Sequence, residues 1–362
     1  MDITAAVARG AQAPFTLETL ALEDPRPNEV VVRILAVGVC HTDLVTKSVF
    51  PPELPIVVGH EGAGVVEAIG ADVTDVRIGD HVLLTYNSCG SCAQCEGGTP
   101  SYCQEFVMLN TSGGRADFTS PLSIDGERVM GAFFGQSSFA THALVSRRNV
   151  VVVDEDVDLV ASAAFGCGVQ TGAGAVANVM RPAPQDSIAI FGVGGVGMSA
   201  LLAARALGVE NVVAVDLSAE RLAMAKELGA TTVIDGAAED VVAQVQAATG
   251  GGATYALDTT ALNPVIAKAL QAVAPRGTLV LVGLGEPSMD FEIGHLIGNG
   301  KAVRGCIEGS GDPQEFIPQL IEWHRAGKFP IERIVRSYPF AEINTAAHDA
   351  ETGATIKPVL VF

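Results

Sequence analysis

The apolar positions of this chain follow two different rhythms. Up to about residue 160 the apolar runs are short and punctuated by glycine, at residues 5–8, 30–35, 56–58, 62–70 and 79–84. Pro25, Arg26, Pro27 and Asn28 mark a turn between the first two. Short runs bounded by turn residues predict strands of a compact β-rich domain rather than βαβ units. After Ala161 strand-like runs at 188–191, 212–215, 231–234, 254–258, 278–284 and 301–305 are separated by helical patterns such as 219–228 and 241–249. Six strands with crossovers predict a doubly wound parallel sheet whose ligand sits at the switch point of the strand order. Residues 316–326 read as a helix, and 331–340 and 358–362 as extended pieces that return to the first domain. The expected organisation is α/β: residues 1–160 a β-rich domain, 161–300 a Rossmann domain, and 301–362 back in the first domain.

Within the second rhythm, residues 187–216 form one recognisable unit. An apolar strand leads into Gly192-Val193-Gly194-Gly195-Val196-Gly197, then a small-residue helical run, then a second strand ending in Asp216. This is the G-x-G-x-x-G order of a dinucleotide site. Gly192 permits the tight turn, Gly194 lets the backbone approach the pyrophosphate at the helix N-terminus, and Gly197 lets helix and strand pack closely. Asp216 follows at about the 20-residue offset where a carboxylate accepts from ribose hydroxyls. A carboxylate there repels a 2′-phosphate, so NAD is expected rather than NADP.

Composition narrows the partners. The chain has 362 residues, 48% hydrophobic, with a formal net charge of −19. That charge disfavours nucleic acid or an anionic membrane as partner. The N-terminal residues lack the basic start and apolar core of a signal peptide, so a cytoplasmic location is expected.

There are seven cysteines, four of them between residues 89 and 103. The spacing Cys89-x₂-Cys92-x₂-Cys95-x₇-Cys103 fits a closed tetrahedral Cys₄ zinc site that pins a loop over residues 86–104. An iron–sulfur cluster also uses four cysteines. Cys40, His60 and Cys167 are a second candidate set: three protein ligands with an open fourth position is the arrangement of a catalytic zinc. Spacing alone does not join residues 40, 60 and 167.

A resemblance does join them. Cys40-His41-Thr42-Asp43, Gly59-His60-Glu61, the four-cysteine lobe, Gly166-Cys167-Gly168 and the glycine-rich turn together resemble the zinc-dependent medium-chain alcohol dehydrogenases, over essentially the full length. Residues 135–140, 167–175 and 356–362 are most similar to the aryl (benzyl) alcohol and geraniol types. The resemblance implies a GroES-like catalytic domain beside the Rossmann domain, two zinc ions and NAD. It implies zinc on Cys40, His60 and Cys167 as a Lewis acid for the alcohol oxygen, with Thr42 accepting the hydroxyl proton. Asp43 is expected to accept from the His60 ring, with Glu61 behind the metal. By position, Thr171 and Val196 fall beside the nicotinamide, Val282 in the cofactor site, Arg221 near the adenosine, and His41 and Lys357 at the pyrophosphate. Phe133 and Phe134 fall in the substrate pocket. Animal members carry a histidine five residues after the first cysteine ligand; here that position is Val45, and His41 is expected to take over the proton exit.

Residues 104–134 are read as a long connection of the functional or mobile kind; the resemblance implies that it borders the substrate channel and goes with a homodimer. Cys306 is read as structural. The implied reaction is reversible oxidation of a primary benzyl-type alcohol by NAD. Geraniol-type, simple aliphatic and glutathione-dependent formaldehyde activities stand as alternatives. So does a non-catalytic relative, although such relatives usually lack the metal ligands kept here.

Overall fold

The computed structural model describes residues Met1–Phe362 and divides into two compact units. The first comprises residues 1–167, 312–321 and 331–362; the second comprises 168–311 and 322–330.

The first unit holds β1 (Asp2–Ala8), β2 (Thr16–Leu22), β3 (Glu29–Gly38), β4 (Ile56–Val57), β5 (Gly62–Ile69) and β6 (His81–Leu84). It continues with β7 (Leu122–Ile124), β8 (Glu127–Val129), β9 (His142–Ser146) and β10 (Val150–Val153). The second unit holds β11 (Ser187–Phe191), β12 (Asn211–Asp216), β13 (Thr232–Asp235), β14 (Ala253–Asp258), β15 (Val273–Leu281) and β16 (Ala302–Gly305). The chain then returns to the first unit for β17 (Val335–Pro339) and β18 (Lys357–Val361).

In the first unit a five-stranded sheet runs β4-β1-β2-β7-β8. A seven-stranded sheet runs β10-β6-β5-β3-β18-β17, with β9 also on β3. The central strand β3 is buried along most of its length, which its run of valines predicts. Register slips between Val31 and Val32 and between Ile34 and Ala36 bend it against β5. In the second unit the sheet runs β13-β12-β11-β14-β15-β16, all parallel. The order reverses at β11, the strand that feeds the glycine-rich turn. Its core gathers Phe191, Val213, Val215, Ile234, Val245 and Leu279.

Two expectations change. Residues 104–134 are not a bare connection: they fold into a helix, Phe106–Thr111, and the hairpin β7–β8 that extends the five-stranded sheet. The hairpin turns on Asp125-Gly126, both at positive φ (51° and 84°). That Asp-Gly pair is the sequence signal for such a turn. The sixth strand, β16, also keeps the chain in the second unit to Gly311, beyond the boundary expected at 300. No single helix is long and apolar enough to cross a membrane.

Candidate active site and metal centres

Strand β3 delivers Cys40 to the start of a helix, His41–Val49. The Cys40 N–H donates to Asp43 Oδ2 at 2.9 Å, so the helix start is capped by its own third residue. Asp43 is fully buried, and its other oxygen accepts from the Gly59 N–H at 2.9 Å and pairs with His60 Nδ1 at 2.7 Å. One carboxylate therefore ties the Cys40 loop to the His60 loop and fixes the imidazole tautomer.

The other ring nitrogen, His60 Nε2, is buried and has no hydrogen-bond partner. A buried orphan nitrogen is costly unless something else binds it. The ligand atoms of Cys40, His60 and Cys167 lie within 4.8 Å of one another. The Cys40 thiol is held well below its usual range, first by a hydrogen bond from Cys167 and then, against burial, by His60 and Lys357. The His60 pKa is raised: burial opposes its charge, but the Asp43 carboxylate and Cys40 prevail. Two sulfurs and an unpartnered imidazole nitrogen fit a zinc ion.

Cys167 arrives after the short turn Ala163–Gly166. A side chain at Gly166 would stand 2.2 Å from the Leu84 carbonyl oxygen, so only glycine allows this approach. Phe133 and Phe134 pack on the His60 ring, Phe134 stacked at 4.4 Å between centroids and Phe133 edge-on at 5.4 Å. Both are buried. Their rings are thus engaged with the His60 imidazole.

Lys357 is 4% exposed and donates to both Glu61 oxygens, at 2.8 and 2.9 Å, so its ammonium is an internal ion-pair partner. A buried ammonium needs a buried carboxylate. Burial works against the Lys357 charge, but Glu61 and Cys40 raise its pKa. Burial raises the Glu61 pKa, with Lys357 opposing. Glu61 follows His60 in the chain and is fully buried. His41 is exposed at the first turn of its helix. Thr42 Oγ1 lies 3.7 Å from Cys40 Sγ, and Val45 is exposed one turn further on.

Cys89, Cys92, Cys95 and Cys103 also gather their sulfurs within 4.8 Å. Cys89–Cys95 at 3.9 Å and Cys92–Cys95 at 3.6 Å are far from the roughly 2.05 Å of a disulfide. Backbone N–H groups of Cys89 and Glu105 point at Cys103 Sγ, the environment of a ligating thiolate. Without metal the four thiols are unequal. Backbone N–H groups of Gln104 and Cys95 lower Cys92 to about 6, while burial pushes Cys103 up to about 12. The thiolate is the nucleophile. Metal-stripped protein at pH 7 is therefore expected to alkylate first at Cys92 and last at Cys103 within the lobe, as read by timed mass spectrometry. Zinc uptake should release protons, and affinity should fall as the pH falls and protons compete for the sulfurs. Cys306 is buried outside both clusters, its thiol pushed up to about 11 by burial.

In the second unit Gly192 adopts φ 87°, where a side chain is strained. A side chain at Gly197 would meet the Gly192 carbonyl oxygen at 1.9 Å, whereas one at Gly194 would meet nothing within 4 Å. The turn and the helix Gly195–Ala206 therefore pack through Gly197, and Gly194 faces open space. Asp216 Oδ2 accepts from the Val193 N–H at 2.8 Å and Oδ1 from the Ser218 N–H at 2.9 Å. Each oxygen keeps a lone pair for a further donor. Arg221 lies 4.0 Å from Asp216 Oδ2. Thr171 sits in the buried helix Gly168–Gly174, and the Val282 N–H donates to the Asp258 carbonyl.

Residues 26–155 match the alcohol dehydrogenase GroES-like domain, and residues 195–325 match the zinc-binding dehydrogenase family. Geraniol dehydrogenase of Castellaniella defragrans is 48% identical across 99% of this chain and 97% of its own length. The chain belongs to the zinc-binding alcohol dehydrogenases. Among solved structures of such enzymes, benzyl alcohol dehydrogenase from Acinetobacter calcoaceticus superposes with a TM-score of 0.96 at 41% identity, covering 100% of this chain and 99% of that one. An alcohol dehydrogenase zinc-binding domain protein from Burkholderia ambifaria gives 0.97 at 45%, with the same coverage. The matching family is zinc-binding by its description, which favours zinc over an iron–sulfur cluster for the two ligand groups. As a family trait, the enzyme is an oxidoreductase acting on an alcohol.

Proposed function

We propose that the chain oxidises primary alcohols whose carbinol carbon adjoins an unsaturated group, benzyl-type alcohols first and allylic terpene alcohols such as geraniol second. The observation that carries this reading is the buried His60. One ring nitrogen is committed to Asp43, the other is unpartnered beside Cys40 and Cys167, and Phe133 and Phe134 wall the ring. The names of the relatives support the substrate class: one acts on geraniol and one on benzyl alcohol.

Bound on Cys40, His60 and Cys167, zinc would supply Lewis acidity for the alcohol oxygen, and NAD would supply the hydride acceptor. The chain does the rest. Asp43 orients His60, Lys357 neutralises Glu61 beside it, and Thr42 takes the hydroxyl proton. A threonine hydroxyl accepts and donates at once, so it suits a relay. His41, exposed one residue before Thr42, hands the proton to water in place of the missing histidine at Val45. Asp216 holds the adenosine ribose, with Arg221 beside it, while Gly192, Gly194, Gly195 and Gly197 accommodate the pyrophosphate; Val196 and Thr171 border the nicotinamide, and Val282 lies in the cofactor site. The working form is a homodimer.

Two results test this reading. First, kcat/KM for benzyl alcohol or geraniol should exceed that for ethanol by more than about tenfold, since each extra buried apolar group gives roughly that factor. NAD⁺ should be preferred over NADP⁺. An ethanol or hydroxymethylglutathione preference would overturn the substrate class while leaving the zinc chemistry. Second, Asp216→Ala removes a charge-assisted contact of about 1.5–3 kcal/mol. It should weaken NADH binding on the order of 10- to 100-fold in a fluorescence titration, with NADP⁺ discrimination reduced. Unchanged binding would remove Asp216 from the ribose site.

A further inference from the structure

Gln136 is 1% exposed and lies outside every ligand position. All four hydrogen-bonding positions of its amide are filled. Nε2 donates to the His60 carbonyl at 2.9 Å and to the Thr85 carbonyl at 3.1 Å. Oε1 accepts from the Gly62 N–H at 3.1 Å and from Ser138 Oγ at 2.7 Å. One of these partners is the backbone of a metal-ligand residue. Another, Thr85, passes the connection on: its hydroxyl donates to the Gly166 carbonyl at 2.9 Å, one residue before Cys167.

The surroundings fix the glutamine itself. The Ser138 N–H donates to the Gly59 carbonyl at 2.8 Å, and Ser137 Oγ donates to the Val57 carbonyl at 2.6 Å, so the segment crosses the His60 loop on both sides. Phe134, Gly135 and Ser137 all hold positive φ, at 51°, 65° and 52°. Such a run persists only where its surroundings over-determine it. Asn149 supplies a second amide, donating to the carbonyls of Thr85 at 2.6 Å and Phe134 at 2.8 Å. The ring stacked on His60 and the link to Cys167 are thereby held together.

We propose that Gln136 is a positioning residue of the catalytic zinc site, setting the spacing of His60 and Cys167 through the carbonyls of His60 and Thr85. The proposal rests on reading Cys40, His60 and Cys167 as a zinc site and is independent of the substrate. In it, Asp43 sets the direction of the imidazole and Gln136 sets where the backbone that carries it stands relative to the Cys167 turn. Outer-shell groups of this kind change metal affinity by about 10- to 100-fold when removed.

The test is zinc release from intact holoprotein to an excess of a coloured chelator, followed in time, with the Cys₄ zinc as the control within the same chain. Gln136→Met keeps the length of the side chain and loses all four hydrogen bonds. Thr85→Val keeps the shape and removes the hydroxyl's link to Gly166; Thr85→Ser keeps that link. Release of one zinc per chain should accelerate about 10-fold or more in Gln136→Met and Thr85→Val. It should not change in Thr85→Ser, and release of the other zinc should not change in any variant. Cobalt-substituted Gln136→Met should show shifted visible ligand-field bands. If Gln136→Met merely melts earlier, with the release rate and cobalt spectrum of the parent, the residue is ordinary core and the proposal fails. If Gln136→Met does not fold, Thr85→Val decides, and parental release rates in it overturn the proposal. A parent that binds only the Cys₄ zinc would instead sink the reading of the catalytic site itself.

Discussion

His60→Ala is expected to lower kcat/KM by about a thousandfold or more while the protein still holds one zinc per chain. The loss follows from the geometry. In the proposed site His60 gives the one nitrogen beside two sulfurs, and no other His, Cys, Asp or Glu joins that group. A zinc ion contributes several kcal/mol to stabilising charge on the reacting oxygen, and each 1.36 kcal/mol is a factor of ten in rate. Asp43 would keep its contacts with the Gly59 and Cys40 N–H groups, so the loop should survive the loss of the ring. Metal analysis should fall from two zinc ions to one, because the Cys₄ lobe uses none of the same residues. Retention of two ions with turnover within tenfold of the parent would remove His60 from the ligand set.

Lys357→Met is expected to be the most destabilising single change near the site. It leaves the Glu61 carboxylate fully buried without its cation. Breaking a buried pair from one side costs about 3–5 kcal/mol, whereas removing both charges is often nearly neutral. The double variant Lys357→Met with Glu61→Gln should therefore recover most of that loss in a urea melt. Equal destabilisation in the single and double variants would show that the lysine stem, rather than its charge, holds β18 in place.

The two units differ in how much of them could be read in advance. The second was legible because its signals are local. A strand, a glycine turn, a small-residue helix and an acid follow one another, and each neighbour explains the next. The helices at 219–228 and 241–249 appear within a residue of their expected ends. In the first unit the decisive contacts join distant residues. Nothing in the pattern around residue 357 announces that its ammonium is buried on Glu61, since a lysine opening a short strand reads like any exposed one. Gln136 is opaque for the same reason: its amide matters through carbonyls at positions 60 and 85, which have no sequence signature. The helix His41–Val49 carries the cysteine ligand's neighbours but is short, and its valines favour extended structure. Cys40, His60 and Cys167 came together through likeness to a known family, whereas the four-cysteine lobe announced itself by spacing. The Asp125-Gly126 turn was legible and shows that the stretch before Phe133 is built, not loose.

In the proposed reaction this chain moves a hydride from an alcohol to NAD, with zinc on Cys40, His60 and Cys167. The most direct measurement uses benzyl alcohol dideuterated at the carbinol carbon, with NAD⁺, on holoprotein and on protein stripped of its more labile zinc. The expected products are NADH one mass unit heavier than the unlabelled product and benzaldehyde in equal amount. The reaction should also disappear on stripping and return on adding zinc. Unlabelled NADH, or the same rate from stripped protein, would contradict this reading.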